Sequence, residues 1–166
     1  DFKVILNTNL EGWDKKVLTF EEIKEFALYH YKSTIDVKGY ETFSYKFTPF
    51  KNMDSRERTI NKSRLMTDKN GDPIRKREKG IGVIDFELYC FDRDNKILSK
   101  FLTADKKQFT QYLDANGGIY VFRDGTRIYD YGEAENDWLE LDHARFNQPA
   151  AKISNNIVIG AVNIKR

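Results

Sequence analysis

A single cysteine, Cys90, stands in this 166-residue chain, so no internal disulfide can form. It sits in an apolar run and reads as a buried thiol, which suits a reducing cytoplasm. Histidine is nearly as scarce. The two residues, His30 and His143, lie far apart in sequence, and with one cysteine they make neither a zinc-ligand spacing nor a Cys–His nucleophile pair. Proline is limited to three residues, so regular elements are broken in few places. No apolar run approaches the roughly 20 residues of a membrane span, and no secretory leader pattern is visible. The expectation is a cytoplasmic protein with no membrane partner. A net charge of +2 excludes any global electrostatic argument for nucleic acid or a membrane surface. The phosphate loop G-x-x-x-x-G-K-[ST], the dinucleotide fingerprint G-x-G-x-x-G and the nucleophile elbow G-x-S-x-G are all missing. No nucleophile, base and orienting group assemble on paper, so neither a catalytic nor a metal site is expected.

What is present reads as one α+β domain over 1–166, a mixed β-sheet with helices packed on one face. The clearest stretch runs from Gly117 to Ile164. Asp124-Gly125 supplies the two positive-φ positions of a type I′ hairpin. That turn pairs Val121 with Ile128 on one face, and Phe122 with Arg127 and Tyr120 with Tyr129 on the other. An Arg beside aromatic rings keeps its charge accessible. Asp137 to Leu141 reads as one helical turn anchored by Trp138. Asn155-Asn156 then turns into a last strand, Ile157 to Ile164.

Upstream, Phe2 to Leu6 reads as a short strand and Asn7 to Lys16 as a polar loop. Thr19 and Glu22 form a capping box, and Phe20, Ile23, Phe26, Ala27 and His30 recur at helical spacing. A helix of about three turns is therefore expected, closed by His30 as a packed or capping residue. Thr34 to Gly39 reads as a turn. Thr42 to Phe50 alternates as a strand with Phe43, Tyr45 and Phe47 on one face. Ile81 to Phe91 reads as a long strand carrying Asp85 and Glu87 together on a solvent-facing edge. Asp92 to Asn95 is a turn, Ile97 to Leu102 a second short apolar run, and Ala104 to Asn116 a helix capped by Thr103. Asn116-Gly117-Gly118 should end that helix in the left-handed conformation.

Residues 51–79 differ in character. They hold ten Lys or Arg against five Asp or Glu, an excess of +5 that leaves −3 for the rest of the chain. The segment reads as a solvated, mobile insertion between two strands. Its alternative role is a basic arm on nucleic-acid phosphates, with Arg75, Lys76 and Arg77 as its densest patch. No Tyr or Phe is interleaved to stack on bases.

Gly117 to Gly132 (GGIYVFRDGTRIYDYG), Asp137-Trp138-Leu139 and Ser154 to Gly160 (SNNIVIG) resemble the segment that follows the ATP-binding domain in prokaryotic MORC-like GHKL ATPases. These are relatives of gyrase B, MutL, histidine kinases and Hsp-ninety chaperones. The strong likeness covers about the last third of the chain, and Tyr45 to Phe50 and Gly80 to Phe91 fit more loosely. It implies a transducer-type domain with the fold of the second domain of ribosomal small-subunit protein five, including a left-handed crossover. Such a domain couples the ATP state of the nucleotide domain to dimer closure or to a client. The Asn-bearing helix, the D-x-G-x-G motif and the Gly-rich lid of the family belong to the preceding domain and are not in this chain. The resemblance thus implies a fragment without a cofactor of its own, while its parent protein would use ATP and Mg. The implied partner is the parent's own ATP-binding domain, with a homodimer and DNA as further possibilities. Arg123, Arg127 and Tyr129 are the candidate contacts to that domain, and Arg145 and Lys152 are further cations before the last strand.

Overall fold

Alternation of rings and polar residues begins at Tyr29, earlier than the helical spacing suggests, and it decides how the first half of the chain folds. In the computed structural model, which describes residues 18–48, 58–68, 70–73, 82–102, 105–133, 135–148 and 152–165, the opening helix α1 spans only Phe20–Ile23. The expected capping box is there: the Thr19 amide donates to Glu22 Oε2 at 3.0 Å. One tighter turn, Lys24–Phe26, follows, and Ala27 is already extended at φ −68°, ψ 129°. His30 is therefore not the end of a helix but the second residue of strand β1, Tyr29–Ile35. Aromatic and β-branched residues favour a pleated surface. Full-length pairing with two neighbours, β2 (Tyr40–Phe47) and β4 (Val83–Cys90), outweighs the short helical pattern.

The basic segment is likewise not all insertion. Arg58–Leu65 forms β3, antiparallel to β2 from Arg58 opposite Phe47 to Leu65 opposite Tyr40. Arg75, Lys76 and Arg77 lie outside the described residues, as does the expected strand Phe2 to Leu6. After β4, the short apolar run Ile97 to Leu102 is mostly helical: α2, Asn95–Phe101, is capped by the Asp94 side chain, which accepts from the amides of Lys96 and Ile97. Helix α3, Lys106–Asn116, is capped in the same way by Asp105. Its end differs from the expectation too. Gly117 is extended (φ −66°), and the positive φ falls on Gly118 (φ 129°), the first residue of β5 (Gly118–Arg123).

Strand β6, Thr126–Ile128, returns across the Asp124-Gly125 turn, where φ is 49° and 79°. The pairs Val121–Ile128 and Phe122–Arg127 form as expected. Tyr129 lies beyond the end of β6, so the expected Tyr120–Tyr129 pair is not part of the ladder. Asp137 to Leu141 holds a turn rather than a helix. Helix α4 starts at Leu141 and runs to Asn147, entered through Glu140 at φ 53°. A short 3-10 turn, Asn155–Ile157, leads into β7, Val158–Lys165.

Among the described residues the result is an α+β fold, a seven-stranded open mixed sheet in the order β3-β2-β1-β4-β7-β5-β6 with four short helices. All neighbours are antiparallel except β5 and β7. The long central strand β4 lies between β1 and β7, which corrects the expectation that Asp85 and Glu87 mark a solvent-facing edge. Ile23, Leu98, Phe109 and Leu113 from the helices pack with Phe91 and Ile159 as the core. Among the described residues no helix is long and apolar enough to cross a membrane.

Candidate functional site

Where α1 and α3 stop short of covering the sheet, a cleft of about 370 Å³ opens between them and the β5–β6 hairpin. Strand register places its polar groups and the neighbouring His30. His30 is opposite Tyr89, Glu87 is opposite Ala161, and Tyr120 is opposite Ala161 from the other side, so one sheet face carries them all. His30 stacks on Tyr89 with centroids 4.3 Å apart, and Phe20 meets the same ring edge-on at 5.3 Å. Glu87 Oε1 lies 2.8 Å from His30 Nε2 and accepts from the Tyr89 hydroxyl at 3.0 Å. Burial works against charge on Glu87, but these two bonds outweigh it and hold the carboxyl below its usual range. Burial first, and then the bond to Glu87, pushes the Tyr89 phenol up to about 12.

On the far side of the cleft, Arg127 holds its guanidinium 4.4 Å from the centroid of Tyr120 and pairs with Glu133 at 2.6 Å. The Tyr120 hydroxyl donates in turn to the backbone oxygen of Asn116 at the end of α3. A ring stack therefore links the hairpin cation to a helix terminus. Chemically the cleft offers an ionised carboxylate at one side, a guanidinium at the other and phenol rings between, an arrangement for recognising a polar group.

The structure separates the residues singled out from sequence. Arg127 alone among them lines this cleft. Arg123 is exposed at the end of β5, and Tyr129 is 81% exposed beyond β6. Arg145, in the last turn of α4, lines a second cavity with Arg93 and Asp92. Lys152 is exposed, its amide donating to Gln148 O. The His30–Glu87–Tyr89 cluster went unread in the sequence. Its signal was the alternation of His30 and Lys32 with Tyr29, Tyr31 and Ser33, hidden beneath the helical spacing. Among the described residues, no group of three or more His, Cys, Asp or Glu could hold a metal ion. Comparisons with protein families, with characterised proteins and with solved structures found no match to this chain.

These shifts define a pH dependence. The Glu87 carboxyl is depressed below 4.5, so its stabilisation is present above that value and is lost as pH falls through the folded-state pKa. Tyr89 and Tyr31 are raised from 10 to about 12, so the stabilisation each contributes is complete below pH 10 and is lost as pH rises towards 12. Burial likewise pushes the Cys90 thiol up from 9 to about 11. Urea midpoints should therefore be flat only between about pH 5 and 9 and fall on both sides, the thiol opening the alkaline fall and the two phenols extending it. In Tyr89→Phe the alkaline fall should be shallower than in wild type, and equal slopes would contradict the assignment.

Proposed function

We propose that this chain is the transducer-type domain of a cytoplasmic GHKL-type ATPase of the prokaryotic MORC-like kind. It transmits the ATP state of a preceding nucleotide-binding domain to dimer closure or to a client. In this reading the helices pack on one face of a sheet with the fold of the second domain of ribosomal small-subunit protein five. ATP and Mg belong to the nucleotide domain of the longer protein. The observation that carries the proposal is the placement of Arg127. The hairpin within the GGIYVFRDGTRIYDYG stretch sets this cation on Tyr120 at the rim of an open cleft, and Tyr120 is bonded to the end of α3. A cation so held can contact a neighbouring domain and pass a displacement to the helix behind it.

The test uses the longer protein with its nucleotide domain. Arg127→Ala should lower the ATPase rate or ATP-dependent dimerisation by about tenfold, within the usual range of coupling between sites. Arg127→Lys should restore only part of it, because an ammonium lacks the planar stacking surface of a guanidinium. Unchanged turnover and unchanged dimerisation would remove the coupling role. The 166-residue chain by itself should not bind ATP tightly, and a stoichiometric ATP titration would overturn the reading.

A further inference from the structure

The sheet face opposite the cleft carries a cluster of aromatic rings from β1, β2 and β4. Register places Tyr29 opposite Phe47, Tyr31 opposite Tyr45 and Ser33 opposite both Phe43 and Phe86. The rings touch one another: Tyr29 lies 5.7 Å from Tyr45 and 4.9 Å from Phe47, and Tyr31 lies 5.6 Å from Phe43 and 5.8 Å from Phe86. None of them is closed off. Tyr29 is 37% exposed, and Tyr31, Phe43, Tyr45, Phe47 and Phe86 are half-buried.

Charge on this face has one sign available to solvent. On the edge strand β3, Lys62 is opposite Phe43 and Arg64 is opposite Glu41, and both cations are exposed. The Arg64 guanidinium lies 5.2 Å from the Phe43 centroid and bonds Glu41 through Nε at 2.6 Å, while its side chain stays 59% exposed. Glu41 is the one carboxylate at the register positions of this face in β1, β2 and β4. It is 4% exposed and also accepts from the Tyr31 hydroxyl at 2.6 Å. Its negative charge is therefore offset by the Arg64 guanidinium, and what faces outward is rings bordered by the exposed Lys62 and the outer face of Arg64.

We propose that this face binds single-stranded nucleic acid, bases against the rings and phosphates along β3. Rings accept any base through its π-face, and cations on one border take the phosphates. Four adjacent strands span about 14 Å at the usual strand spacing, room for two or three stacked nucleotides. Interleaving of aromatic and basic residues, absent along residues 51–79, is made across the β2–β3 pairing instead. A duplex, whose bases are already stacked on each other, cannot use the rings. The proposal rests on a different face from Arg127 and stands or falls separately from the ATPase reading.

The test is fluorescence anisotropy of the 166-residue chain with labelled oligo(dT) and oligo(U) of twelve nucleotides, and with a duplex of equal length. The single strands should bind, more weakly as salt rises, with a log–log slope of about −0.7 to −1.4 for the one or two phosphates that Lys62 and Arg64 can take. The duplex should bind at least tenfold more weakly. Tyr29→Leu should weaken single-strand binding by about tenfold with little change in the salt slope, and Lys62→Glu should weaken it and lower the slope. Both variants keep Glu41 paired, and their melting curves check that they fold. No binding at 100-fold excess of chain over probe would overturn the proposal. Equal affinity for the duplex, or affinities untouched in both variants, would do the same. A second copy of the chain covering the tyrosines, seen as self-association that Tyr29→Leu abolishes, would replace it.

Discussion

Phe109→Ala should cost about 3–5 kcal/mol of folding stability, the range for deleting a large buried ring. Phe109 is fully buried in α3 and meets Phe26 and Phe91 edge-to-face, each with centroids 6.0 Å apart. It is the point at which the turn after α1, the end of β4 and helix α3 converge. Ile23, Leu98 and Leu113, buried in the same cluster, come from three different helices, so collapse into the space left behind would be partial. Phe109→Leu keeps much of the volume and should cost less than about half as much. Urea unfolding measures both, with the midpoint expected to fall at constant slope. A loss under about 1 kcal/mol for the alanine variant would mean that α3 is not held to the sheet through this ring.

The second large effect is expected at Gly132. Its φ is 80°, a region that costs a side chain about 1–3 kcal/mol. Space is the greater obstacle. A Cβ there would sit 2.5 Å from the Ile119 carbonyl oxygen and 2.7 Å from the Tyr120 amide, both backbone atoms of β5. Relief requires the chain after β6 to move away from β5. That movement would strain the bond from Trp138 Nε1 to the same Ile119 oxygen, 2.8 Å long. Strain and clash together should destabilise Gly132→Ala by about 3 kcal/mol or more. Gly125→Ala is the matched control: its φ is 79°, but nothing lies within 4 Å of the added methyl, so it should show the conformational cost alone. Equal losses at the two positions would show that the close approach to β5 carries no weight.

Parts of the molecule written in a few adjacent residues were legible before any coordinates. The Asp124-Gly125 turn with its first two pairs, the Thr19–Glu22 capping box, and the alternation of Phe43, Tyr45 and Phe47 are of this kind. Each depends on backbone dihedrals or on hydrogen bonds within a few residues. Readings failed where two local signals competed. Residues 20–30 carry a helical stripe, but from Tyr29 they also carry a two-residue alternation, and pairing on both sides of β1 settled the contest. Residues 58–65 have the composition of a solvated loop, yet an open edge of β2 gave their backbone groups partners and made them a strand.

Local chemistry thus sets the turns, the caps and the side of each strand that is apolar, because those follow from interactions a few residues long. Which groups meet is a matter of register between segments distant in sequence. Glu87 finds His30 from 57 residues away, Arg64 finds Glu41 from 23, and Tyr120 receives Arg127 through a hairpin ladder. No residue on its own announces such a partner. The cleft and the ring-bearing face come into being only when the strands are laid side by side in one order.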